Sequence, residues 1–258
     1  MLPDFLLYAP IRADSAVIIL NARIKLSARQ ALLGESLAVL PTLALIIILT
    51  VVFSVGTAAV GLLPGNASLM QALAALLSLP AALLAIAPLR LKLQHRHIAL
   101  ALGGRGVREL RLADSLNACV LYSALFALKL MWLLLFEAIP AAVAALFALR
   151  ISRQAVSLKA SVALLIGTAV LAAVGLVFWE IAVQRYARAE FYLASYGDIS
   201  PVRAISMSVK RSRDEAADIF LFKLSFLPWL LLCVAALPAL YVVPYYKQSV
   251  TCRFLGGR

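Results

Sequence analysis

Apolar runs too long for an ordinary soluble element alternate along this chain with short segments crowded with arginine and lysine. The runs fall at about 37–63, 69–88, 116–136, 161–182 and 220–243. Each approaches or exceeds the ~20 residues that a helix needs to cross a hydrocarbon core, and in water each would expose a large apolar surface. The pattern predicts an all-α fold: a polytopic transmembrane helix bundle of about five spans with interfacial amphipathic helices. Residues 37–258 then form one helical membrane domain, preceded at 1–36 by a basic amphipathic segment.

Within that frame the third run is ambiguous. The stretch 116–149 is too long for one straight crossing and carries Pro140 just after Glu137, so it predicts a span ending near Glu137 and a tilted, interfacial or re-entrant continuation at 141–149. Two segments between runs read as interfacial helices. In 15–33, Ile18, Ile24 and Leu32 interleave with Arg23, Lys25 and Arg29, the composition of a helix lying along a membrane surface. After Gly197, Ser200 caps a helix opening with Pro201, which places Val202, Ile205 and Val209 on one face and Arg203 and Lys210 away from it.

Composition sharpens the picture. The 258 residues are 64% hydrophobic with a mean hydropathy of +0.98, which excludes a soluble protein. The formal charge of +12 sits in blocks between runs, where it orients helices and meets anionic headgroups, so membrane phospholipid and not nucleic acid is the implied partner. With five spans, 16 positive residues fall on the side of the N-terminus and 6 on the other. The positive-inside rule then predicts a cytoplasmic N-terminus and an external C-terminus, in a plasma (inner) membrane. Scattered charges in 1–36 argue against a cleaved signal peptide. Cys119, Cys233 and Cys252 lack metal or redox spacing and read as small hydrophobes.

Few residues in the runs can carry chemistry. Lys129 lies deep in the third run, where a charge costs at least ~2.5 kcal/mol unless it pairs or snorkels, and such residues mark transport paths. Glu180 and Lys223 match in depth at the ends of the fourth and fifth runs and are expected to pair as a clamp between helices. Pro228 and Pro238 should bend the last span, with Ser225 satisfying a freed carbonyl. His95 and His97 read as lying in a basic loop, and Gly103, Gly104 and Gly106 as a hinge. There is no metalloprotease, serine-hydrolase or nucleotide-binding motif, so no catalytic, cofactor or metal site is expected.

From about 185 to 254 the residues Tyr186, Glu190, Phe191, Tyr192, Asp198, Ala204, Ile205, Ser208, Phe220, Leu224, Ser225, Phe226, Trp229, Pro244 and Tyr245 keep a distinctive order and spacing. This stretch resembles the bacterial integral-membrane family called domain of unknown function 975, with a weaker echo at Trp132, Leu133, Leu134, Leu135, Ile139 and Pro140. Val209, Asp214 and Pro228 stand where the family usually has Arg, Gly and Gly, which marks a divergent relative. The family has no established activity, so the resemblance implies architecture alone. The leading expectation is a non-enzymatic bacterial inner-membrane scaffold or accessory to envelope or lipid processes, with protein partners or a homo-oligomer. The competing one is a small transporter or channel subunit with Lys129 near a polar path. A membrane enzyme built on Arg185, Arg188, Glu190 and Asp198 is a third class.

Overall fold

The computed structural model describes residues 13–33, 36–60, 67–104, 109–152, 158–196, 198–233 and 236–256, and among them it is helices joined by short turns, with no strand. The helices are α1 (Ala13–Leu32), α2 (Ser36–Val60), α3 (Ala67–Ala101), α4 (Leu112–Ser152), α5 (Leu158–Val183), α6 (Ala189–Ser195), α7 (Pro201–Ser212), α8 (Ala216–Leu224), α9 (Leu227–Leu232) and α10 (Ala236–Gly256), with a 3-10 turn at Gln184–Tyr186 after α5. Among the described residues four stretches, Ala38–Ala59, Leu76–Ala101, Leu112–Leu149 and Val162–Ser195, are long and apolar enough to cross a membrane. The protein is an all-α membrane bundle. The predicted turn at 64–66, Gly106 and Gly197 lie outside the described residues.

Two antiparallel pairs, α2 with α3 and α4 with α5, form the frame, and α3 lies against α4. At ~1.5 Å per residue the 35 residues of α3 and the 41 of α4 reach about 52 Å and about 61 Å, well beyond a ~30 Å hydrocarbon core. Their apolar halves, with α5, expose large side chains such as Leu134, Leu135, Ile139, Leu165 and Ile166. The opposite end is a packed head. There Leu91, Leu121, Phe191, Leu193, Ala204, Ile219 and Phe254 form one buried core, and α1 and α10 pack side by side.

Three expectations about the runs are corrected. The helix of the second run, α3, does not stop near residue 88 but continues to Ala101, so His95 and His97 lie on α3 and not in a loop. It ends at the first strong breaker: Gly103 and Gly104 take φ +61° and +75°, and the Gly104 amide donates to the Ala99 carbonyl at 2.8 Å. The helix of the third run, α4, continues through Pro140 to Ser152, with no re-entrant piece at 141–149. Pro140 frees only the carbonyl of Phe136, and that oxygen sits against α5, 3.2 Å from where a Cβ on Gly175 would stand. Neighbouring helix surface thus covers the defect.

The run 220–243 is not one helix. It divides into α8, α9 and the start of α10, because Pro228 stands in the first turn of α9 and Pro238 in the first turn of α10, where proline opens helices. Ser225 closes α8 by donating to the Phe222 carbonyl at 2.6 Å. The chain then doubles back. Phe226 meets the rings of Tyr245 and Tyr246 at 5.6 and 5.4 Å, so α9 and α10 form a hairpin rooted in the head.

In α7 the cap is as expected, with Ser200 Oγ accepting from the Arg203 amide at 3.3 Å. The buried face is another one. Pro201, Ala204, Ser208 and Ser212 face inward, Ile205 is only half-buried, and Val202 is 73% exposed. Small side chains let α7 approach closely, and Ser208 uses that closeness by donating to the Arg185 carbonyl at 2.8 Å and accepting from the Arg188 amide at 3.1 Å.

A polar cavity as the candidate functional site

Where α3, α4, α5, α8 and α10 converge in the head, the sequence puts polar residues on faces that would otherwise complete the apolar core. They surround a cavity of about 320 Å³. Arg90 and Gln94 come from α3, Tyr122 and Lys129 from α4, Trp179 and Glu180 from α5, Lys223 from α8, and Tyr246 and Lys247 from α10, with Gln184 and Glu190 between. The lining holds four cations, Arg90, Lys129, Lys223 and Lys247, against two carboxylates, Glu180 and Glu190. Lys129 is therefore on the wall of a polar cavity.

Gln184 organises one side. Its amide Nε2 donates to Glu180 Oε1 at 2.6 Å and to the Glu180 carbonyl at 3.1 Å, and its Oε1 accepts from Lys223 Nζ at 2.6 Å. The expected Glu180–Lys223 clamp is thus a three-part relay through a buried amide. The two helices approach at a depth where one glutamine fits between the charges. Burial holds the Lys223 ammonium down to about 8, with Glu180 acting to raise it. Burial likewise pushes the Tyr246 phenol up to about 12, with Glu180 adding to the effect, so its hydroxyl stays a neutral donor.

On the other side Lys247 Nζ lies 3.9 Å from Glu190 Oε2, and the Arg90 guanidinium stands 5.7 Å from the ring centre of Tyr122. Lys129 is fixed through its backbone, since Trp179 Nε1 donates to its carbonyl at 2.9 Å. Behind the cavity a polar ladder ties α3 to α10. Gln94 Nε2 donates to Thr251 Oγ1 at 3.1 Å, and Gln248 accepts from His97 Nδ1 at 2.7 Å while donating to the His97 carbonyl at 3.2 Å. The ladder holds Lys247 at its post. With more positive than negative groups in a partly desolvated space, the cavity favours an anion.

The remaining residues singled out in the sequence lie elsewhere. Ser225 Oγ accepts from Lys25 Nζ at 2.8 Å, which fastens α1 to the hairpin, and Lys25 also stands 4.4 Å from the ring centre of Phe226. Tyr245 stacks on Tyr241 at 5.9 Å, Pro244 lies inside α10, Pro228 opens α9, and Trp229 is exposed. The four residues of the enzyme reading are dispersed. Arg188 is buried in an ion pair with Glu215, Arg185 lies 5.8 Å from the Trp132 ring centre, Asp198 is exposed, and only Glu190 reaches the cavity. Among the described residues no group of three or more His, Cys, Asp or Glu is placed to hold a metal ion.

Comparisons with protein-family models, with curated proteins and with solved structures find no match for this chain.

Proposed function

We propose that this protein is a bacterial inner-membrane protein of the small transporter or channel-subunit class that binds a small anionic solute in the head cavity. The observation that carries this reading is the position of Lys129 on a cavity wall shared with Arg90, Lys223 and Lys247. A lone lysine in an apolar helix usually snorkels or pairs, whereas this one joins three further cations around a space at the small end of ligand pockets, roughly 300–1,000 Å³. The role is non-enzymatic. Its test is flux of a radiolabelled anion panel (phosphate, sulfate, succinate) in proteoliposomes carrying the wild type or Lys129→Gln. Saturable flux of one anion that the variant loses supports the reading, and no protein-dependent flux of any of them counts against passage.

We also propose that both termini are cytoplasmic. In support, α1 and α10 lie together and Arg253 Nη1 donates to Asn21 Oδ1 at 3.0 Å. With four crossings, only Arg150 and Lys159 among the described Lys and Arg fall at the far end, Lys129 lines the cavity, and the rest of the described ones share the side of the head. That asymmetry exceeds the one expected with five spans, and the positive-inside rule favours it.

A scaffold or accessory role is the second reading. What favours it is α7, which exposes Val202, Arg203 and Lys210 on one side of the head, a surface suited to a headgroup layer or a protein partner. Kinship with domain of unknown function 975 over residues 185–254 is a further proposal, supported by the structural use of Ser208 and Phe226 from the shared pattern.

A further inference from the structure

We propose a phospholipid site in the groove between α2 and α3, separate from the head cavity, whose occupant is one anionic phospholipid. The groove holds about 630 Å³ and is lined by Ala38, Pro41, Thr42 and Leu45 on α2 and by Leu89, Lys92, Arg96 and Leu100 on α3. Its polarity runs in the sense of a lipid leaflet. The helices are antiparallel, so Leu45 and Leu89 lie towards the apolar ends while Ala38, Lys92 and Arg96 lie towards the head, with Ala99 and Leu100 closing the groove beyond them. A headgroup at Lys92 and Arg96 would therefore leave its tails along Leu45 and Leu89.

Arg96 is set for this task. One nitrogen, Nη1, donates to both the Ala38 carbonyl and Thr42 Oγ1 at 2.6 Å. Those contacts fix the guanidinium plane across the groove and do not use Nε or Nη2, and a guanidinium holds five N–H donors in a fork suited to phosphate oxygens. Lys92, one helical turn earlier on the same face, is exposed and adds a second positive charge. Two cations at one end of an apolar trough select an anionic phosphodiester with acyl chains over a zwitterionic one.

The test is native mass spectrometry of the purified full-length protein, delipidated in detergent and titrated with dioleoyl phosphatidylglycerol, dioleoyl phosphatidylcholine or glycerol phosphate. The wild type should retain one phosphatidylglycerol in preference to phosphatidylcholine and should hold no glycerol phosphate. Lys92→Gln should weaken retention roughly fivefold, as expected for one charge near a headgroup. Arg96→Gln should weaken it at least as much, and because that change also unties α3 from α2, Lys92→Gln decides if the Arg96 variant fails to fold. Lys129→Gln should leave lipid retention unchanged, which separates this site from the anion cavity. Equal retention of the two lipids, an unaltered Lys92→Gln, or loss in Lys129→Gln would each overturn the proposal.

Discussion

Burial of the Lys223 ammonium beside Gln184 gives the cavity a titration that solution lysine lacks. The group sits near 8 in the folded protein against an ordinary 10.5, so below about pH 8 the folded state carries a buried charge. Between about 8 and 10.5 it has released the proton while the unfolded chain still holds it. This group's contribution to stability therefore rises with pH across that window. Anion affinity should move the other way, falling as pH passes 8, and Lys223→Met should flatten that fall in a calorimetric pH series. Gln184→Leu should cost about 1–3 kcal/mol in a detergent melt, because Glu180 and Lys223 both lose a buried partner. At this scale the sequence disclosed Lys129, Glu180 and Lys223, since a charge inside an apolar run is costly enough to stand out. It did not disclose Gln184, Gln94 or Tyr246, which are neutral, or Lys247, which falls just past the last apolar run. The one local signal was the four-residue spacing of Glu180 and Gln184, which puts them on one helical face.

Helices were legible where apolar runs were long and unbroken, and illegible where proline had to be assigned a role. The same residue type frees a covered carbonyl at Pro140 and opens helices at Pro228 and Pro238, and only the neighbouring helix decides between these outcomes. Gly175 is where α5 comes closest to α4 beside Pro140. A Cβ there would stand 2.7 Å from Glu137 Oε1 and 3.2 Å from the Phe136 carbonyl. Gly175→Ala should accordingly destabilise the protein by about 1–3 kcal/mol. Gly167→Ala, on the same helix with open space around it, should be neutral or stabilising by roughly 0.5–1 kcal/mol. Equal melting temperatures for the two variants would refute the close approach. In α7 the apolar stripe pointed to the wrong face because packing there selects small residues over greasy ones. Ala204, fully buried, should not accept Leu without a loss of about 1–3 kcal/mol, whereas Val202→Asp should leave the melt unchanged.

For the molecule as a whole, the separation into an apolar frame and a polar head was only half visible. Composition and charge blocks mark a membrane bundle, but folding brings Arg90, Lys129, Lys223 and Lys247 together from helices far apart in the chain, and no spacing records that. The same folding pairs the two terminal helices. A reporter fused after Gly256 and one placed before Ala13 should thus be shielded together from an external protease in intact cells, and protection of only one would break the proposed topology. The claim on which the functional reading rests is that the cavity holds an anion through Lys129. Isothermal titration of the purified protein at pH 7 with phosphate, sulfate and succinate tests it most directly, with Lys129→Arg and Lys129→Gln alongside. Saturable binding of at least one of these anions is expected, kept in part by the arginine variant and weakened by at least about tenfold in the glutamine variant, the effect of roughly 1.4 kcal/mol. Binding that is equal in the wild type and Lys129→Gln, or no binding of any of the three, would contradict it.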